Sequence, residues 1–260
     1  MSASSNLIAT SRIEKGVLLV TLDRPAQLNA LSAELLQQMA AVLIEARSDP
    51  EVRCVVVTGN SRAFSAGADI KEMQRQGFEA INNHARQSAW HTIEHFSKPM
   101  IAAVRGLCLG GGLELAMLAD IIIAAENAVF SQPEITIGII PGDGATQRLT
   151  RVIGKSLAMK MVLTGQPIDG REALRNGLVA EALPEDQVVE RALALAKLIA
   201  DRAPVAARLA KEAILAAYET TLAAGLEVER RAIRLAFTTD DQKEGMAAFV
   251  EKRAPRFKGR

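Results

Sequence analysis

The chain has 260 residues, enough to bury a large core without disulfide or metal staples, and its formal charge of +1 argues against a nucleic-acid binder or a polybasic membrane-surface protein. Apolar residues make up 49% and aromatic ones only 3%, which predicts a core of Ala, Leu, Ile and Val in packed helices and buried strands. Two cysteines, Cys54 and Cys108, lie in or beside apolar runs and read as buried free thiols in a reducing compartment rather than as a disulfide.

Met1 to Asn6 is short and polar with no apolar signal core after it, and no uninterrupted apolar segment is long enough to span a bilayer. The expectation is a cytoplasmic protein that engages neither membrane nor nucleic acid. Leu7 to Ile13 and Val17 to Leu22 flank Glu14-Lys15-Gly16 and predict a β-hairpin. Ser32 can cap a helix with apolar spacing at Leu35, Leu36, Met39, Val42 and Leu43, which Asp49-Pro50 stops. CVVVT, Cys54 to Thr58, is a β-branched run typical of a strand buried on both faces. A loop of small residues, GNSRAFSAGADIKEM, leads into a helix start, and Glu79 to Phe96 is helical in pattern. Lys98-Pro99 resets the chain to the strand MIAAV; a Gly110-Gly111-Gly112 turn, a short helix LELAMLA and the strand Ile121 to Ala124 follow. Strands alternating with helices predict an α/β fold. Beyond Pro141, Lys155 to Leu163, Gly170 to Asn176, Pro184 to Asp201, Pro204 to Tyr218, Thr220 to Phe237 and Thr239 to Arg253 all read as helices. No low-complexity linker occurs, so a division into a core over 1–190 and a helical region over 191–260 has a soft boundary.

The glycine triplet can present bare backbone N–H groups to an anion, with Glu114 in the first turn of the helix that follows. Glu134, between Pro133 and the apolar ITIGIIPG, has no obvious solvated face. A lone Glu in a first helical turn is ordinarily a dipole-stabilised surface residue. Two such carboxylates beside a polarised glycine turn suggest acid/base chemistry next to a developing negative charge. In Ser65-Ala66-Gly67-Ala68-Asp69-Ile70-Lys71 the plain reading is a tight connection with Asp69 as helix cap; the functional one lets a ligand approach the backbone. Neither glycine stretch has the spacing of a phosphate loop or a dinucleotide fingerprint. His91 and His95 stand at i, i+4 with no third ligand evident, so no metal is expected, and Ser65 and Ser131 lack the elbow of a hydrolase nucleophile.

Taken together, LDRPAQLNAL, FSAGADIKEM, IAAVRGLCLGGGLELAMLADIIIA, SQPEITIGIIPGDGATQRL and VLTGQPI resemble the enoyl-CoA hydratase/isomerase, or crotonase, superfamily over nearly the whole chain. The resemblance implies a spiral of repeated ββα units, with the core in 1–190 and a helical C-terminal region, assembled as a homotrimer or a dimer of trimers. It implies that the N–H groups of Ala68 and Gly111 bind the thioester oxygen of an acyl-CoA. In that picture Glu114 activates a water for attack at Cβ and Glu134 exchanges a proton with Cα. The segment Ala66, Ala68, Asp69, Ile70 and Lys71, with Gly111, would embrace the CoA, with Lys71 at a phosphate. Coenzyme A belongs to the substrate and no separate cofactor is implied. The activity implied is a lyase of fatty acid metabolism and β-oxidation, an enoyl-CoA hydratase. A Δ3,Δ2-enoyl-CoA isomerase, which generally manages with one carboxylate, is the alternative. The closing KRAPRFKGR resembles hydratases acting on 2,3-dehydroadipyl-CoA. An RNA-binding relative uses a lysine-rich helix, whereas Glu79 to Phe96 carries only Arg86 as a fixed positive charge.

Two departures stand out. Ala26-Gln27 replaces a basic residue common in that loop, and PGDGATQRL replaces the common PGAGGTQRL. Asp143 thus adds a third carboxylate near the acyl pocket, which could repel an anionic acyl end, bind a polar one, or face away.

Overall fold

The computed structural model describes residues 6–14 and 16–260; Lys15, in the expected hairpin turn, lies outside them, as does the segment 1–5. β1 (Ile8–Ile13) and β2 (Val17–Leu22) form the antiparallel hairpin, with Ile8 opposite Leu22. α1 (Ala33–Ser48) starts where the Ser32 hydroxyl accepts the Leu35 N–H, and it buries Leu35, Leu36, Met39 and Leu43, residues whose spacing predicts it.

From α1 onward the chain repeats one move. β3 (Cys54–Thr58), buried along its whole length, joins one sheet, β4 (Ala63–Ser65) opens another, and α2 (Ile70–Gln76), α3 (Glu79–Asn82) and α4 (His84–Glu94) follow. β5 (Met100–Val104), β6 (Leu107–Leu109) and α5 (Gly111–Ala116) repeat it. β7 (Ile121–Ala125), β8 (Val129–Ser131), a 3-10 turn at Glu134–Ile137 and α6 (Ala145–Thr164) repeat it again. β9 (Ile168–Asp169), α7 (Gly170–Arg175) and β10 (Glu181–Leu183) complete the core. The large sheet has the order β1-β2-β3-β5-β7-β10, parallel from β2 onward, and the small sheet has the order β4-β6-β8-β9. Each repeat advances both sheets by one strand, which makes the fold an α/β spiral of ββα units. Because β4, β6 and β8 run parallel side by side, the loops that leave them at Ser65, Leu109 and Ser131 emerge together.

The helix expected over Glu79 to Phe96 is two helices, because the Asn83 side chain turns inward to accept the Arg86 N–H and caps a new start. The helix expected from Lys155 is the second part of α6, which kinks at Gly154 (φ +78°, ψ 161°). The small sheet has no counterpart in the sequence reading: its strands AFS, LCL and VFS are too short to show a period.

Of the C-terminal helices, α8 (Val188–Ala200) follows a 3-10 turn at Glu185–Gln187 and packs on β2, β3, β5 and β7. It does so through the four-residue stripe Val188, Ala192, Ala196 and Ala200, so residues on both sides of 190 share one core. α9 (Pro204–Ala216) packs on α10 (Leu222–Ala236) and is tied to the sheet by Lys211, whose Nζ meets Asp120 Oδ2 and donates to the Lys98 carbonyl, both at 3.0 Å. Lys98 itself is buried, with its ammonium on the carbonyls of Ala46, Asp49 and Val52 at 2.6 to 2.7 Å. It closes the C-terminal end of α1, where unpaired carbonyls favour a cation. α11 (Asp240–Val250) carries in its first turn the buried Asp241, which accepts the N–H groups of Lys258 and Gly259.

Candidate active site

The three loops that leave the small sheet build the site. The N–H of Gly110 donates to the Ser131 carbonyl at 2.8 Å, which fastens the second loop to the third. The first loop lies against the second: a Cβ on Gly111 would sit 3.5 Å from the Ala68 nitrogen. Among the described residues neither the Ala68 nor the Gly111 N–H finds an acceptor, so two donors are left side by side. Gly111 is the first residue of α5, where N–H groups have no intrahelical partner and the helix dipole favours negative charge.

Glu114, one turn into α5, is 2% exposed. Its Oε1 accepts the N–H groups of Asp143 and Ala145 at 2.8 and 2.9 Å. Among the described residues its Oε2 accepts nothing, which leaves one oxygen for a water. Glu134 stands at the start of its 3-10 turn with its carboxylate against the second loop: a Cβ on Gly110 would lie 2.6 Å from Glu134 Oε1. Gly110 also has a φ of +50°, a backbone conformation that favours glycine at this turn. The buried Gln132 amide, oriented with its nitrogen toward Glu134, donates to both carboxylate oxygens at 3.0 and 3.1 Å. The run ITIGII, expected to surround Glu134 with apolar side chains, instead exposes Ile135, Ile137, Ile139 and Ile140. The enclosure of Glu134 comes from the glycine turn and Gln132.

Burial pushes the Glu114 pKa up to about 7, opposed by the Ala145 N–H and reinforced by the charge of Asp143. Burial also raises Glu134, opposed by its own backbone N–H and reinforced by Asp143. The two glutamates sense each other, since the charge of Glu134 contributes to the rise at Glu114. Two neighbouring carboxylates whose ionisation is opposed by burial are suited to serve one as acid and the other as base.

The raised pKa has a thermodynamic consequence. Below the ordinary 4.5 the Glu114 carboxyl is protonated in both folded and unfolded chains and costs nothing; as pH rises toward about 7 the unfolded chain alone ionises, and stability falls. Glu114→Gln removes this penalty and keeps an oxygen for both N–H donors. It should stabilise the protein at pH 8 by up to about 3 kcal/mol, with little gain at pH 4.5. Urea midpoints of parent and variant at the two pH values measure the difference, and equal gains at both would contradict it.

Residues 12–260 match the family described as enoyl-CoA hydratase/isomerase. The chain belongs to that family. It is 47% identical to the 2,3-dehydroadipyl-CoA hydratase of Escherichia coli (strain K12), over 95% of this chain and 97% of the relative. It is 50% identical to a probable enoyl-CoA hydratase of Rhizobium meliloti (strain 1021), over 93% and 94% of the two chains. An enoyl-CoA hydratase crystal structure from Bacillus anthracis superposes with a TM-score of 0.93 at 38% identity, covering 98% of this chain and all of that one.

In this enoyl-CoA hydratase/isomerase family member the sequence-predicted residues Ala68, Gly111, Glu114 and Glu134 meet at one place. The rest of the first loop is divided. Asp69 behaves as its plain reading has it, capping α2 through the Glu72 N–H and pairing with Arg24 Nη1 at 2.7 Å. The Ala66 N–H is held by the Leu28 carbonyl at 2.9 Å, whereas Ile70 and Lys71 stand exposed at the start of α2. The carboxylate of Asp143 is taken up by Arg86, which binds both of its oxygens. Arg86, Gln132 and the N–H groups of Asp143 and Ala145 are site residues that the sequence reading missed. The histidine pair does have a third neighbour, because helical turning brings Glu94 to within 4.8 Å of His91 and His95. All three are exposed and Glu94 is ion-paired with Arg148.

Proposed function

We propose that the chain is an enoyl-CoA hydratase, a lyase that adds water reversibly across the 2-trans double bond of an enoyl-CoA thioester to give a 3-hydroxyacyl-CoA. The observation that carries this reading is the meeting of a buried carboxylate, Glu114, and a half-buried one, Glu134, beside two unpartnered N–H donors. The thioester oxygen accepts from Ala68 and Gly111, whose N–H groups stabilise the enolate-like charge by roughly 3–4 kcal/mol per donor. Glu114 Oε2 takes a proton from the water as its oxygen bonds to Cβ, and Glu134 delivers a proton to Cα. A proton passed from Glu114 back to Glu134 resets the pair, so the sum is one water added. No separate cofactor or metal has a part in these steps; coenzyme A arrives with the substrate, and Lys71 is an exposed cation suited to its phosphates.

Among the described residues no helix is long and apolar enough to cross a membrane, and we place the chain in the cytoplasm. Assembly with copies of itself, as a homotrimer or dimer of trimers, is supported by apolar side chains left uncovered on the last helices, such as Leu222, Phe249 and Val250 at 80, 86 and 79% exposure.

Crotonyl-CoA tests the reading: absorbance of the conjugated thioester should fall on adding the protein. No turnover with any enoyl-CoA chain length would overturn it, and growth of that absorbance from a 3-enoyl-CoA without hydration would assign the isomerase. The panel should include an enoyl-CoA with a terminal carboxylate, given the name of the Escherichia coli relative.

A further inference from the structure

The carboxylate of Glu114 is oriented by the turn Gly142-Asp143-Gly144, and two arginine side chains hold that turn. Asp143 stands between two glycines, and its N–H, with that of Ala145, grips Glu114 Oε1. The same residue is held from two other directions. Its carboxylate receives both terminal nitrogens of Arg86, one at 3.0 Å, and its carbonyl accepts from Arg148 Nη1 at 3.1 Å. Arg86 is anchored in turn. It lies in the first turn of α4, its N–H is capped by Asn83 at 2.9 Å, and its guanidinium lies over the buried Trp90 ring at 5.8 Å. α4 packs firmly on α1, so a fork of fixed geometry reaches the turn from a rigid element. Both charged groups are largely enclosed, with 18 and 15% of their side-chain surfaces exposed. Glu114, Glu134 and Asp143 crowd three acids around the site, and Arg86 supplies the positive charge bound directly to the third.

We propose that Arg86 is a positioning residue of the hydration site: by holding Asp143 it fixes the turn whose two N–H groups orient Glu114, and it cancels the charge of the third carboxylate. This rests on the hydratase reading. Arg86 acts through Asp143, to which both of its terminal nitrogens are bound. An enclosed ion pair that loses one partner leaves an uncompensated charge, whereas loss of both partners is milder. The pair should therefore behave non-additively.

The test is steady-state hydration of crotonyl-CoA by the parent, Arg86→Met, Asp143→Ala and the double variant, each with a thermal melt. Arg86→Met should lower kcat about tenfold with KM changed by less than about twofold, as expected of a misdirected carboxylate rather than a lost substrate contact. Adding Asp143→Ala to that background should raise kcat again by about threefold, since no bare anion then remains beside Glu114, yet leave it below the parent, since the turn is still not held by Arg86. Parent-like turnover by Arg86→Met, a loss confined to KM, or a loss that Asp143→Ala fails to relieve would each overturn the proposal. If Arg86→Met fails to fold, Arg86→Gln, which keeps one donor to Asp143, takes its place with the same expectation in smaller measure. An inactive parent would count against the hydratase reading itself; an active parent with an unaffected Arg86 variant counts only against this inference.

Discussion

The Glu134→Gln variant should hydrate enoyl-CoA on the order of a thousandfold more slowly than the parent, with KM changed by less than about threefold. Glutamine matches glutamate in shape, so the packing against Gly110 survives and one carboxylate-to-amide contact with Gln132 is kept. What is lost is the exchangeable proton at the end of the side chain. On the proposed reading the substrate is held by backbone N–H groups and by its CoA part, so the deficit should lie in kcat. Glu114→Gln should be impaired to a similar degree, and the double variant should be little worse than either single one, because acid and base serve the same addition. Progress curves at saturating crotonyl-CoA measure all three. A Glu134→Gln protein that keeps more than about a tenth of parental kcat would remove Glu134 from the proton path.

Gly112→Ala should be nearly as damaging to turnover, by way of the backbone. A Cβ at this position would lie 2.4 Å from the Ser65 carbonyl oxygen and 2.8 Å from Ser65 Cβ. Ser65 cannot yield: its hydroxyl donates to the Asn29 carbonyl at 2.8 Å, and the buried Asn29 amide holds the carbonyls of Ala63 and Phe64. α5 must therefore back away from β4, carrying the Gly111 N–H away from that of Ala68. Loss of one such donor costs on the order of a hundredfold or more in kcat, and the overpacking costs about 1–3 kcal/mol of stability. Turnover and a urea melt of the same preparation report the two effects. Full activity in a well-folded Gly112→Ala protein would contradict the close approach of α5 to β4.

The parts of this molecule that were legible in the sequence are those whose signal is local. β3, β5 and β7 are continuous apolar runs, and α1 has both a cap and a helical period. The glycine triplet, Glu114 and Glu134 stand out because polar residues are scarce around them and their order resembles a family motif. The small sheet was not legible, since three residues cannot display alternation, yet it is this sheet that gathers the loops. Arg86 and Asp143 were each noticed, one as a lone positive charge and the other as an odd carboxylate, but no periodicity links residues 57 positions apart. The Asn83 break was hidden within a segment whose flanking residues all suit a helix. Backbone donors such as the Ala145 N–H leave no trace in residue identity at all.

The two thiols offer a different use of the fold. Cys54 lies in β3 of the large sheet and Cys108 in β6 of the small one, both free and fully enclosed. Burial pushes the Cys54 thiol up to about 12 and raises Cys108 as well, so neither supplies thiolate to a reagent in the closed protein. Cys108 sits in register with Ser65 on one side and Phe130 on the other, at the middle of the strands from which the loops depart. Each cysteine is thus a built-in stopwatch for the opening of its own sheet. Comparing their labelling rates would tell whether the layer carrying the chemistry breathes independently of the layer that supports it.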